Sequence, residues 1–351
     1  MIFSTPYRKL QAWKKKYEKW LMPAFLFLGF IVDYITLNRV DTVFDNAIIT
    51  AYVLLTALVV FVSHYLTYTK EELSLRLKKI QLFLPFLLQF AYGGLLSGIT
   101  IFYYHSTSLL TLPFLVILIV LFLGNDVLHQ RYPKLSFQIL VLGIATTAYS
   151  ILLTPVIVGH ISWIVFLLGL FIGVLLIYGY SELFRKYIPV LYEQFAFKIK
   201  MIIVAIFFLF LFMYSMNILP PVPLSLKTAG IYSSIERISA DNYAFTEFDK
   251  PWYLFWRETA RTIDHTGPVY VFASVFAPRN FSETLYHTWS RYNEEAMKWE
   301  QTDRIPMGII GGRAEGFRGY TKKSNPADGK WRVDITNKKG QIIDRISFRK
   351  K

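Results

Sequence analysis

Seven apolar stretches divide the first 220 residues, and the loops between them alternate between strongly basic and almost uncharged. The stretches fall at 21–37, 47–65, 82–104, 106–124, 137–158, 161–180 and 201–219. Each has roughly the 17–25 residues that a helix needs to cross about 30 Å of hydrocarbon. A helix satisfies its own backbone in lipid, so seven transmembrane helices are expected. One set of loops carries Arg8, Lys9, Lys14, Lys15, Lys16 and Lys19, then Lys70, Arg76, Lys78 and Lys79, then Arg131 and Lys134, and last Arg185, Lys186, Lys198 and Lys200. The opposite set carries Arg39 alone. Short basic loops are retained in the cytoplasm, which places the N-terminus inside. An odd number of crossings then delivers everything after residue 220 to the other side.

This pattern divides the chain into a basic cytoplasmic tail at 1–20, a seven-helix transmembrane domain at 21–219, a Pro-rich linker at 220–226 and an extracytoplasmic domain at 227–351. Pro220, Pro221 and Pro223 end the last span and stiffen the linker. The membrane part of the formal charge of +14 needs no nucleic acid, because loop topology and anionic lipid head groups account for it, while the share after residue 220 stays open. The expected partner of the membrane part is the lipid bilayer. With no cysteine, disulfides, thiolate zinc sites and thiol nucleophiles are excluded. The basic tail runs into an apolar stretch without a small-x-small cleavage site, which reads as a retained anchor.

Within the spans, Gly94 with Gly98 and Gly169 with Gly173 have the spacing that lets helices approach closely, and Gly143, Thr146, Thr147 and Ser150 form another small face. Residues 71–80 read as a short interfacial helix or as the cytoplasmic extension of the third span. Asp33 is the one acid well inside a span. A carboxylate in lipid is a functional candidate by default, either on a proton or ion path or simply reaching the outer head groups. No spacing of histidines and acids suits a metal, and no phosphate loop or nucleophile elbow is present. Catalytic residues, metal ligands and cofactors are therefore expected to be none.

Beyond Gly267, segments of strand length alternate with turn residues at 269–276, 285–292, 307–310, 317–322, 331–336 and 341–348. Residues 224–265 are mixed, with 252–263 a helix or an irregular strand. Such spacing argues for an immunoglobulin-like antiparallel β-sandwich. His287 and Trp289 stand two apart on one strand and share a face. The glycine-rich block around Arg313, Phe317, Arg318 and Tyr320 combines positions for unusual backbone with cations beside rings. It can grip an anion or sugar, or act as a structural network joining strands. Alternation turns Trp331, Val333 and Ile335 inward. It would also bury Ile342, Ile346 and Phe348 together with Asp344, which requires a partner such as Arg313 or Arg318, or a bulge.

These residues carry a resemblance. Ala229-Gly230-Ile231-Tyr232, Val269-Tyr270-Val271-Phe272, Phe276-Ala277-Pro278, His287 with Trp289, Gly311-Gly312-Arg313, Gly316-Phe317-Arg318-Gly319-Tyr320, Gly329-Lys330-Trp331-Arg332-Val333 and Gly340-Gln341 resemble a bacterial envelope domain. It is the domain-of-unknown-function family twenty-nine fourteen, over about residues 225–350. The resemblance implies a bacterial cytoplasmic membrane and a β-rich periplasmic domain, and brings no activity. This chain departs from it at Asp344, where glycine is expected. The resulting expectation is a non-enzymatic inner-membrane protein whose periplasmic domain binds a partner protein or an envelope glycan. A homo-oligomer or a subunit of a membrane complex is compatible with it. The alternatives are a transporter or channel with a polar path including Asp33, a sensor, or an enzyme acting on lipid-linked substrates.

Overall fold

The computed structural model describes residues 24, 27–37, 39–68, 74–104, 106–108, 111–127, 135–239, 242–248, 262–279, 281–310 and 316–351. The chain divides into two compact units. The first holds the helices, and the second comprises Asn217–Lys351 together with the short segments His105–Leu112 and Pro155–Ser162. The basic tail, the 252–261 part of the mixed segment, and Gly311, Gly312 and Arg313 lie outside the described residues.

Among the described residues seven helices follow in order: α1 (Phe27–Thr36), α2 (Val43–Tyr68), α3 (Leu75–Tyr104), α4 (Leu112–Val127), α5 (Leu135–Val158), α6 (Trp163–Tyr187) and α7 (Pro189–Ser215). Five of them, α2, α3, α5, α6 and α7, are long and apolar enough to cross a membrane, while the apolar runs of α1 and α4 are shorter. The boundaries move where the charges sit. Helix α3 begins at Leu75, so Arg76, Lys78 and Lys79 ride on the extension of the third span. Between α6 and α7 only Ile188 breaks the helix, with proline at the next position. Lys198 and Lys200 thus belong to α7 and not to a loop, and the helix ends at Ser215, short of Leu219. Long basic side chains on a helix end can keep their charged heads in the interface while their stems cover apolar surface.

Helices α3 and α5 are the most enclosed, and the others turn large apolar residues outward, including Leu54, Phe171, Leu175, Phe208 and Phe212. The small residues lie where neighbours come closest. A Cβ at Gly94 would fall 2.5 Å from the Tyr52 ring, and one at Gly98 would overlap Ile49, both residues of α2. A Cβ at Gly173 would stand 2.6 Å from the Thr147 Cα, and one at Gly169 would stand 2.9 Å from the Ile151 Cα, both backbone atoms of α5. The small face of α5 is therefore the surface on which α6 packs.

The described residues of the second unit form nine strands: β1 (Ser225–Arg237), β2 (Tyr243–Glu247), β3 (Thr262–Ile263), β4 (Val269–Phe276), β5 (Ser282–Asn293), β6 (Lys298–Ile310), β7 (Phe317–Lys323), β8 (Gly329–Thr336) and β9 (Ile342–Lys350). They form a four-stranded sheet in the order β2-β1-β4-β7 and a five-stranded sheet in the order β3-β9-β8-β5-β6. Pairing is antiparallel except between β3 and β9. Two apolar clusters join the sheets. One unites Ile231, Val269 and Val271 with Trp289, Trp331, Val333, Ile346 and Phe348. The other unites Ala273 and Val275 with Leu285, Ile309, Ile335 and Ile343, and Ile161 packs against it. Pro306 stands on β6, the strand at the end of its sheet, where a missing N–H removes no ladder bond from a central strand.

The last strand carries the expected irregularity. The β8–β9 register slips between Ile335 and Thr336, whose partners are Asp344 and Ile342. The slip lets Ile343 bury in place of Ile342, while Asp344 stays half-buried.

Candidate binding faces

The residues singled out in the sequence do not converge on one surface. His287 and Trp289 share a face of β5, as their spacing requires, but it is the inner face, and both are fully buried. Each meets Thr321 of β7: the Trp289 Nε1–H donates to Thr321 Oγ1 at 3.1 Å, and His287 Nδ1 lies 2.9 Å from the same oxygen. The other nitrogen, His287 Nε2, is buried without a hydrogen-bond partner. Burial pushes the imidazole pKa down to about 4, because a charged ring in this core has lost its water. Phe317 packs against the second apolar cluster, and Arg318 is half-buried. Gly316 shows both glycine effects at once. Its φ is +81°, and a Cβ there would sit 2.7 Å from Ser274 Oγ.

Among the described residues of that set, Tyr320 alone stands well exposed, on the outer face of the four-stranded sheet. There it joins rings that the sequence reading did not assign to a site. Tyr270 is 6.0 Å and Tyr243 6.1 Å from it between centroids. Tyr243 and Phe245 in turn pack on Phe272 at 5.6 and 4.9 Å, and Tyr232 lies 4.6 Å from Phe245. The six rings come from all four strands, with Phe272 buried at their centre and Phe245 and Tyr320 exposed at either side. Alternation explains the array: Val269 and Val271 of β4 point into the core, so Tyr270 and Phe272 must point out. The Lys322 ammonium lies over the Tyr270 ring at 5.6 Å.

The outer face of the five-stranded sheet is charged instead. Arg345 forks onto Asp334 with bonds of 2.6 and 2.9 Å, which raises the arginine pKa further. Arg332 is pushed the other way, first by burial and then by the Arg345 charge, with Asp334 opposing. Near the junction of the sheets, Lys323 pairs with Asp303, which lowers the carboxyl pKa, and lies 4.7 Å over the Trp331 ring.

In the helical unit, Asp33 is buried rather than reaching outward. The Tyr52 hydroxyl donates to Oδ1 at 3.0 Å and the Ser97 hydroxyl to Oδ2, so one carboxylate ties α1 to α2 and α3. Arg39 pairs with Asp41, and its backbone N–H donates to Asp45 at 2.8 Å.

No curated protein and no solved structure matches the chain. A family model does: residues 282–349, which run from β5 through β9, match the family described as a protein of unknown function, DUF2914.

Proposed function

We propose that this chain is a multi-pass protein of a bacterial cytoplasmic membrane that displays an immunoglobulin-like β-sandwich outside the cytoplasm, and that this domain binds an envelope glycan without chemical conversion. On this reading α1 and α4 complete seven crossings. The basic residues gathered on one set of loops support the orientation.

The observation that carries the binding role is the aromatic array on the four-stranded sheet. A soluble face normally avoids grouping large rings where water reaches them, and such a patch marks an interaction surface. Tyrosines present an apolar body with a polar tip, which suits the C–H faces and hydroxyls of a sugar. The test is retention of full-length protein, solubilised in a non-ionic detergent, on immobilised neutral envelope polysaccharide. Tyr243→Ser with Tyr320→Ser is expected to abolish retention without altering the melting temperature. Unchanged retention in that pair would refute the role of the face, and capture of a protein with no affinity for glycan would replace the glycan by a protein partner.

A further inference from the structure

On β8, Arg332, Asp334 and Thr336 alternate onto the outer face of the five-stranded sheet, opposite the buried Trp331, Val333 and Ile335. Ser290 is the β5 neighbour of Arg332, Thr288 that of Asp334, and Arg304 of β6 pairs with Thr288. With Lys338 and Lys339 of the β8–β9 turn, these residues line a groove of about 420 Å³. Every residue that lines it falls inside the DUF2914 segment.

Charge in the groove is unbalanced. Four cations, Arg304, Arg332, Lys338 and Lys339, line it against the single carboxylate of Asp334. That carboxylate is already held by the fork of Arg345, and Arg332 Nε reaches it only at 3.8 Å. Each arginine lies over a ring, and Arg304 Nη2 also donates to the Lys338 carbonyl at 3.2 Å. Arg304 lies 3.9 Å over the Tyr286 ring and Arg332 lies 4.7 Å over the Trp299 ring. A guanidinium stacked on a ring keeps its N–H edge directed in plane, where it matches the oxygens of a phosphate.

Two atoms remain without hydrogen-bond partners. Arg332 Nε, which has only the distant ion pair to Asp334, and Thr336 Oγ1 are both buried and make no hydrogen bond, and Thr336 as a whole is only 6% exposed. A buried polar atom without a hydrogen bond is costly, so the two atoms call for a ligand that can hydrogen-bond. The residues lie four apart on one strand, a span of about 13 Å. One phosphate cannot reach both ends, whereas a ligand with an anionic group and a chain of hydroxyls can. Thr288, Ser290 and Gln301 supply hydroxyl and amide groups along the way.

We infer that this groove is a binding site for a phosphate-bearing saccharide, with the phosphate on the Arg332 edge beside Arg304 and the sugar hydroxyls running toward Thr336 and the turn lysines. The site is separate from the aromatic face and stands whether or not that face binds glycan.

Calorimetric titration of the full-length protein in non-ionic detergent, with trehalose 6-phosphate, trehalose and inorganic phosphate as probes, tests it. Trehalose 6-phosphate is expected to bind at least tenfold more tightly than either of the others, and more weakly as salt rises. Arg332→Gln removes at least tenfold of that affinity. Thr336→Val, which keeps the side-chain shape, weakens it at least threefold with an unchanged melting temperature. No binding of trehalose 6-phosphate, or affinities equal in wild type and both groove variants, would overturn the assignment. Inorganic phosphate binding as tightly as the sugar phosphate would overturn its saccharide half, and trehalose doing so would overturn its phosphate half.

Discussion

His287 makes the stability of the β unit depend on pH in a calculable way. The ring is fully buried, touches Thr321 through Nδ1, and holds its pKa near 4 because the core cannot solvate the cation. In the unfolded chain the ordinary value is about 6.5. The folded state therefore favours the neutral ring: its stabilising effect is complete above about pH 6.5 and drains as pH falls toward 4. Taking about 1.36 kcal/mol per pKa unit, acidification from pH 7.5 to pH 5 costs about 2 kcal/mol at this one residue. His287→Gln keeps a hydrogen-bonding group for Thr321 and cannot titrate. Amide hydrogen exchange of the β5 and β7 peptides, corrected for intrinsic rates, reports the opening free energy at both pH values. Wild type is expected to lose about 2 kcal/mol more than the variant between them. An equal loss in both proteins would refute the reasoning.

Other perturbations probe the packing. Trp289→Ala removes the largest fully buried side chain of the β unit and should cost about 3–5 kcal/mol, read as loss of exchange protection throughout both sheets. Gly173→Ala drives a methyl into the Thr147 backbone and is expected to destabilise the helical unit by about 1–3 kcal/mol, seen as a lower melting temperature in detergent. Gly179→Ala, with open space around it, should be silent in the same assay. Asp33→Leu leaves the Tyr52 hydroxyl without its acceptor and Ser97 with the Gly94 carbonyl alone, and should cost about 1–3 kcal/mol, whereas Asp33→Asn, which still offers an oxygen, should cost less.

How far the sequence reaches depends on whether a signal survives within one element. The run 269–276 bounds β4 to the residue, because a central strand flanked on both sides is almost wholly apolar, with Ser274 and the Tyr270 hydroxyl its few polar groups. By contrast β1 hides among mixed residues. Its register shifts at Leu226/Thr228 and at Tyr232/Ser234, so alternation changes phase twice along the strand. The first half of β6 is polar because it lies at the end of its sheet, and only 307–310 read as strand. A lysine does not mark a loop where its helix runs on past the membrane: Lys198 and Lys200 sit on α7.

The candidate site shows the same limit. Spacing places His287 and Trp289 on one face, but both faces of these strands carry aromatics, so spacing cannot say which face is inside. Val271 and Phe272 illustrate this: one joins the core and the other the outer ring array. The groove around Arg332 was half legible, since the alternation of β8 turns its charges outward. Its other half comes from the early part of β6 and from a turn, which only the pairing of strands brings together.

The central claim is that charge asymmetry threads the chain so that the β unit lies outside the cytoplasm. Fusing alkaline phosphatase, which folds actively only outside, and separately green fluorescent protein, which fluoresces only inside, after Lys351 tests it directly. The account predicts strong phosphatase activity and no fluorescence. A fluorescent fusion with inactive phosphatase would contradict it, and with it the proposal that the sheet faces meet an envelope ligand.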